Sequence, residues 1–440
     1  MDILVKIIQF FLCFTILIGI HEMGHFIMAR VFKIRVEKFY IFFDPWFSLF
    51  KFKRGDTEYG LGWLPLGGYV KIAGMIDESM DKEQMKQPVK PDEFRAKPAW
   101  QRLLVMVAGV MMNVLLAIVI YCAVCYTWGD SYFSNQDAKW GYNFNPTAHE
   151  MGFRDGDRFV SIDGEEIDNV MRVQNDLLIT DGGRRVVVER GGEPVTLDIP
   201  FESLLRMRQE KAYEDLFTLR LPFIVDSVSY TSAVEAGLQS GDEVVAIDDL
   251  RDADYPRYRD YLQKHKNDKV LLTVRRDGAL IDSLALPVDA EGRIGVTVTN
   301  PYSLRTQYYT FWESIPAGIH KAGKTISSYW DQLKLIVQPK TKMYEELGGF
   351  VAIGSIFPGS WDWHDFWLKT AFLSIILAVM NLLPIPGLDG GHALFTLWEI
   401  ITRRKPSEKF LEVAQYVGLM IILALLVYAN GNDIYRFFIK

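Results

Sequence analysis

The sequence predicts a polytopic α-helical membrane protein: about four transmembrane helices, a membrane-associated β-hairpin between the first two, and two tandem mixed α/β domains between the second and third. Three observations carry that expectation. Apolar stretches long enough to cross a bilayer lie toward both ends of the 440-residue chain. Lysine and arginine crowd into alternate connections. The polar middle repeats itself.

The first apolar stretch runs from Ile3 to Ile20, interrupted only by the charge of Lys6, and leads directly into His21-Glu22-Met23-Gly24-His25. It resembles a secretory leader, but Asp2 weakens the positive start and no small-residue cleavage site follows, so residues 1–30 read as a retained helix. The second stretch, Leu103 to Trp128 within residues 99–128, carries no charge. A third, Thr370 to Leu388, is uncharged but contains Pro384 and Pro386, so its end must break or extend. Val413 to Asn430 is the fourth; the last two share residues 366–440. The connection between Arg30 and Arg102 is rich in Lys and Arg, and Arg403, Arg404, Lys405 and Lys409 follow the third stretch. Both connections are therefore expected on the cytoplasmic side, with the polar middle and both termini outside.

Within the first connection, residues 31–98, the run from Tyr59 to Ile72 is apolar and glycine-rich, with Gly67-Gly68 as a turn signal before Tyr69. It is too short to span as a helix. A β-hairpin at about residues 58–73, dipping into the membrane beside the first helix, fits this run; a surface hairpin with exposed aromatics fits it equally.

In the middle, Met151 to Gly164 aligns without gaps onto Ala236 to Asp249. Each copy has a Gly-apolar-x-x-Gly-Asp turn leading into a strand that ends in an Asp turn. A second β-run follows each, Arg185 to Arg190 and Val270 to Arg275, with helical stretches near Val170–Leu178 and Tyr255–Lys264. The expected domains are 129–211 and 212–300. Residues 301–365 then supply an amphipathic outward helix, Glu313 to Gln338, and a linker.

Composition excludes some functions. A formal net charge of −7, without a basic stripe interleaved with aromatics, argues against a nucleic-acid binder. Cys13, Cys122 and Cys125 all fall in apolar stretches, so no disulfide framework is available to the polar domains. The Cys-x-x-Cys spacing of the last two reads as small apolar packing.

His21 and His25 stand four residues apart, on one face of a helix, where both can reach a single zinc ion; Glu22 beside them can act as general base on water. An ionisable cluster at membrane depth is costly to keep, which marks it as functional. Two histidines do not complete a catalytic zinc site, which takes three protein ligands. Asp389 reads either as an inward-facing carboxylate after the proline break or as a plain helix-ending turn at Leu-Asp-Gly. His392 is a competing ligand. Asn381, two helical turns before Asp389 on a similar face, reads by itself more as an interhelical bond than as a functional group. Gly109 and Asn113, a turn apart, suggest close packing and an interhelical bond.

Four features occur in order: His21 to His25; Gly109-Val110-Met111-Met112-Asn113; the duplication; and Asn381-Leu382-Leu383-Pro384-Ile385-Pro386-Gly387-Leu388-Asp389-Gly390. In this, nearly the whole chain resembles the site-2 protease family of intramembrane zinc metalloproteases, in its bacterial branch with two PDZ domains, the regulator-of-sigma-E protease type. The duplication resembles paired PDZ domains, the Ala-x-x-Gly-apolar-x-x-Gly-Asp pattern recurring from Ala148 and Ala233. Their carboxylate-binding loop would precede Pro222-Phe223-Ile224-Val225 in the second copy. A departure is Gly348-Gly349-Phe350, where the branch often has Gly-Pro.

The resemblance implies Zn2+ held by His21, His25 and Asp389, with Glu22 as catalytic base and His392 not a ligand. It implies that Asn381 positions substrate while Asn113 and Gly109 support the site. Gly67, Gly68 and Tyr69 would pair with an unfolding substrate as an added strand. The implied partners are pre-cleaved anti-sigma factors, signal-peptide remnants and peptide ligands of the PDZ domains, at a bacterial inner membrane. The rivals are a catalytically inactive PDZ scaffold, an outward-acting zinc protease and a metal transporter. A scaffold would have a broken metal set, a site near the inward helix end disfavours outside substrates, and repeated intramembrane carboxylates for transport are lacking.

Overall fold

The computed structural model describes residues 2–64, 67–75, 88–213 and 215–439. Two compact units divide the chain: Met1–Asp130 with Tyr308–Lys440, and Ser131–Gln307. The first unit contains α1 (Asp2–Val31), β1 (Val36–Ile41), β2 (Phe43–Arg54), β3 (Thr57–Leu64), β4 (Tyr69–Ile72), α2 (Ala99–Trp128), α3 (Phe311–Val337), α4 (Trp363–Leu382), α5 (Asp389–Thr402) and α6 (Glu408–Ile434). Among the described residues, four helices are long and apolar enough to cross a membrane: α1, α2, α4 and the stretch Lys409–Phe437, which overlaps α6. The protein is a membrane protein.

Helix α2 is the frame of this unit, packing against α1, α3, α4 and α5. Its contact with α1 is close because Gly24 has no side chain: a Cβ there would lie 2.4 Å from the Ala108 carbonyl oxygen. Local chemistry marks the ends of the other helices. The Asp362 side chain accepts from the His364 and Asp365 amides at the start of α4, and Ser407 does the same for Phe410 in α6. Thr310 and Glu313 form a reciprocal capping box that opens α3.

The third apolar stretch is two helices. Helix α4 stops at Leu382, because Pro384 and Pro386 lack amide hydrogens and disfavour helical geometry in the residues before them. Tight turns fill residues 383–388, with Gly387 at φ +98°. Helix α5 then starts afresh at Asp389. Asn381 and Asp389 therefore lie on different helices, not two turns apart on one face, and Asp389 opens a helix rather than ending one. A Cβ at Gly418 of α6 would fall 1.4 Å from the Pro386 carbonyl oxygen, so α6 closes against the break through its glycine.

The strands also differ from expectation. Residues 58–73 do not form a hairpin; β3 and β4 both pair with β1, which lies between them in a sheet of order β2-β3-β1-β4. β1 runs parallel to β3 and antiparallel to β4. The hairpin is β2–β3, reversing at Gly55-Asp56 with Gly55 at φ +65°. Parallel pairing across a long connection leaves no local signal, whereas Gly67-Gly68 looks like a hairpin turn from sequence. Pro65 and Leu66 of the expected hairpin lie outside the described residues. β1 and β4 pack on α1, leaving β4 as one edge of the sheet.

The second unit holds the duplication as matched geometry. Strands Arg158–Ile162, Arg184–Arg190 and Glu193–Ile199 pair antiparallel in succession, as do Glu243–Ile247, Lys269–Arg276 and Ala279–Pro287. In the first copy, Asp157 is buried against Arg190, whose guanidinium also donates to the Gly152 carbonyl at 2.8 Å. In the second, buried Asp242 meets Arg276, which donates to the Gly237 carbonyl at 2.7 Å. The Asp163 and Asp248 turns share φ +51°, and each carboxylate accepts from an amide of its neighbouring strand, Arg185 or Leu271. Separate apolar cores form around Phe159 and Val188 in one copy and around Val244 and Leu272 in the other. The short helices fall at Val173–Leu178 and Tyr255–Lys264.

The Gly24 contact sets a test. Gly24→Val puts a branched side chain against a backbone carbonyl that cannot move cheaply, so stability in detergent should fall by ~1–3 kcal/mol. Gly323→Ala, in open space on α3, should leave the melting temperature unchanged or slightly raised.

Candidate active site

The site begins with two histidines one turn apart on α1, each 7% exposed. Their Nε2 atoms lie 3.3 Å apart. Asp389, the first residue of α5, places Oδ2 at 3.1 Å from His21 Nε2 and 3.3 Å from His25 Nε2. That triangle is nearly equilateral. Donor atoms of a tetrahedral zinc site, at bond lengths of about 2.0–2.1 Å, stand about 3.3–3.4 Å apart, so the three atoms fit the metal. Asp389 Oδ2 is buried and accepts no hydrogen bond from the described residues, although it faces two imidazole nitrogens. Among the described residues, these three are the one group of ligand-type side chains that converges in this way.

The other ring nitrogens explain why Nε2 faces the centre. His25 Nδ1 donates to the Val105 carbonyl at 2.8 Å, leaving the Nε2 lone pair free. His21 Nδ1 lies 3.3 Å from the Asn113 amide nitrogen, while Asn113 Oδ1 is buried without a partner. Turning that amide over makes Oδ1 the acceptor of the His21 Nδ1 hydrogen and gives His21 the same tautomer as His25. Gly109 is needed on the same face of α2: a Cβ there would lie 2.4 Å from His25 Nε2 and 2.7 Å from His21 Cε1.

Asn381, at the end of α4, brings its amide nitrogen to 3.4 Å from His21 Nε2 despite sitting on a different helix from Asp389. Glu22 is half-buried, and the start of β4 presses on it. A Cβ on Gly68 would lie 2.6 Å from Ile18 Cγ2, 2.8 Å from the Tyr40 carbonyl and 3.3 Å from Glu22 Cγ. Gly67 lies against the Phe43 ring. Tyr69 stacks against Tyr40 and Phe43, at 5.3 and 5.9 Å between ring centroids, and its hydroxyl donates to Asp44 at 2.9 Å.

Ten residues singled out from sequence thus fall into two adjoining groups: His21, Glu22, His25, Gly109, Asn113, Asn381 and Asp389 around the triangle, and Gly67, Gly68 and Tyr69 beside Glu22. His392, one turn beyond Asp389, is not part of the triangle. His149 pairs with Asp155 and His265 stacks on Tyr261, both in the second unit. The sequence reading missed the Val105 carbonyl, because a backbone acceptor has no residue-type signature. It also missed Ser374 of α4, whose hydroxyl donates to the Asn113 carbonyl at 2.7 Å; one serine in an apolar run was its only trace.

Apolar spanning helices around two histidines and a carboxylate, with a glutamate beside them, describe a membrane-embedded metalloprotease. The family model of peptidase family M50 matches residues 9–425, and the chain belongs to that family. It is 29% identical over 427 residues to a predicted zinc metalloprotease of Clostridium perfringens, covering 96% of each chain. It is 29% identical over 462 residues to another from Vibrio cholerae, covering 99% of each. With the regulator of sigma E protease of Haemophilus influenzae it shares 27% identity over 452 residues, covering 97% of this chain and 98% of that one. The protein is a zinc metalloprotease.

The packing at Gly109 makes the site sensitive to one methyl group. Gly109→Ala should push both imidazoles off the triangle and weaken zinc binding by about 10–100-fold. Zinc content after dialysis against a chelator measures this; retention equal to that of the wild type would contradict it.

Proposed function

We propose that the protein hydrolyses a peptide bond within transmembrane segments of other membrane proteins, with His21, His25 and Asp389 holding the zinc and Glu22 as catalytic base. The observation that carries this reading is the Nε2–Nε2–Oδ2 triangle beside Glu22 on an apolar spanning helix. Bound zinc supplies a Lewis acid that polarises the scissile carbonyl and activates water. Glu22 takes the proton of the attacking water and passes it to the departing amine. Val105 and Asn113 hold the histidines in the tautomer that presents Nε2. The Asn381 amide, at the rim of the triangle, donates to substrate backbone and positions it.

Peptide bonds in a membrane helix are already hydrogen-bonded, so the substrate must unwind before it can react. An unwound segment needs new partners for its amides and carbonyls. The edge of β4, unpaired among the described residues, entered through Gly67-Gly68 and running from Tyr69, offers them by strand addition directly beside Glu22. The smallness of Gly68 lets that edge approach α1.

In this reading 129–211 and 212–300 are PDZ-like domains that face outward with both termini, while 31–98 and the turn after α5 face the cytoplasm of a bacterial inner membrane. The outward pair, followed by the amphipathic helix and linker of 301–365, binds chain ends and admits substrates already trimmed of bulky domains. Membrane-anchored anti-sigma factors cut once before, and signal-peptide remnants, are substrates of that kind; similarity to a regulator of sigma E protease supports the first. An inactive scaffold has less support, because every residue of the metal and base set is in place.

The reading is tested with wild type and Glu22→Gln on a model substrate trimmed on its outward side. Turnover should fall about 10²–10⁴-fold in the variant, the range for loss of a general base, with zinc retained. A chelator should stop the wild type. Equal cleavage by both proteins would sink the proposal.

A further inference from the structure

Helix α5 starts after a proline break, so Asp389 does not continue the helix of α4. The first turn of α5 is packed locally: a Cβ on Gly390 would lie 2.3 Å from the Leu382 and Leu383 carbonyl oxygens, and one on Gly391 would lie 2.5 Å from that of Ile385. Those contacts join α5 to the end of α4 and the turns that follow it rather than to the histidines. At its other end Glu399 meets Arg102 of α2, with Nη2 and Oε1 2.5 Å apart and the two side chains only 18% and 11% exposed. Arg102 is itself held, its Nε donating to the Lys97 carbonyl at 3.1 Å and its guanidinium lying 6.0 Å from the Phe94 ring centroid.

The place of Arg102 on α2 gives this contact its meaning. Arg102, Val105, Gly109 and Asn113 are spaced three, four and four residues apart, which makes one stripe of the helix. Val105 bonds His25, Asn113 adjoins His21, and Gly109 lies against both. Along α5, Glu399 is about 15 Å from Asp389, and along α2, Arg102 is about 10 Å from Gly109 and about 16 Å from Asn113. The two helix segments thus match in length, tied at one end by the ion pair and meeting at the other in the triangle.

We propose that the Arg102–Glu399 ion pair is a positioning device for the reaction, locking α5 onto the stripe of α2 that orients His21 and His25 so that Asp389 reaches them. The proposal rests on Asp389 being a zinc ligand. Its physical logic is that a buried ion pair is a weak source of stability, since desolvation offsets the attraction and two well-packed apolar residues often serve as well. What apolar residues lack is a directional contact between one point on each helix.

The double variant Arg102→Met/Glu399→Met removes both charges without leaving either unpaired. It should melt near the wild-type temperature, yet bind zinc about tenfold more weakly, in the range for lost support behind a metal ligand. The apo protein in detergent, titrated with zinc against a chromophoric chelator, reads that affinity. With the trimmed model substrate, kcat should fall and KM stay unchanged. Arg102→Lys, which keeps a charged pair, should restore most of both. Wild-type zinc affinity and kcat in the double variant would overturn the proposal. So would its failure to fold beside a normal Arg102→Lys protein, which would make the pair a folding contact. Asp389→Asn separates the two readings: undiminished zinc affinity there removes the ligand assignment itself, whereas loss there with none in the double variant removes only the role of the ion pair.

Discussion

The close approach of α1 and α2 is the constraint on which the rest of the structure depends. Gly24 gives up its side chain so that α1 can lie on the Ala108 carbonyl, and Gly109 gives up its own so that two imidazoles can lie on α2. Only at that separation does the Val105 carbonyl reach His25 and the Asn113 amide reach His21. In a bilayer, helices gain little from burying apolar surface against each other, so small residues and buried polar contacts carry association. The same small residues that bring these helices together therefore also orient the donor atoms. Packing and chemistry are one arrangement here.

The second requirement is the opposite of close packing. A carboxylate at the depth of the histidines needs a chain that stops being a helix there, and Pro384 and Pro386 provide the stop. Broken backbone within a membrane is tolerated where protein satisfies it. The turns of residues 383–388 hydrogen-bond among themselves, and Gly418 lets α6 lie directly on Pro386. The cost of the break is that Asp389 is no longer fixed by one continuous helix with Asn381. Its place now depends on the packing of α5 on the turns beside it and on α2, and the charged pair far along α5 is one of those contacts with α2.

The sheet meets this site from the other side. Gly68 brings the start of β4 to Glu22, and the aromatic stack of Phe43, Tyr69 and Tyr40 stiffens that approach. The second unit obeys a different logic. Its two copies each bury one aspartate against one arginine and use the same left-handed turns, so each is held by its own local set of contacts and core.

Much was legible in the sequence because it was written in short-range patterns. Apolar length gave the helices long enough to span a membrane, and the His-Glu-x-x-His spacing placed two histidines on one face because helix geometry leaves no other choice. The repeat of Gly-apolar-x-x-Gly-Asp gave the duplication, since the same φ-positive turns demand the same residues. What the sequence could not determine was set by contacts distant along the chain. Asn381 and Asp389 read as one helix face and proved to be two helices, which converge on His21 only through packing. Tyr59 to Ile72 read as a hairpin, yet its strands flank β1, because a parallel partner is chosen by the whole sheet and leaves no mark in the residues between. The Val105 carbonyl and the meeting of Arg102 with Glu399 were invisible for the same physical reason: one is backbone common to every residue, and the other joins positions that only the tertiary structure makes neighbours.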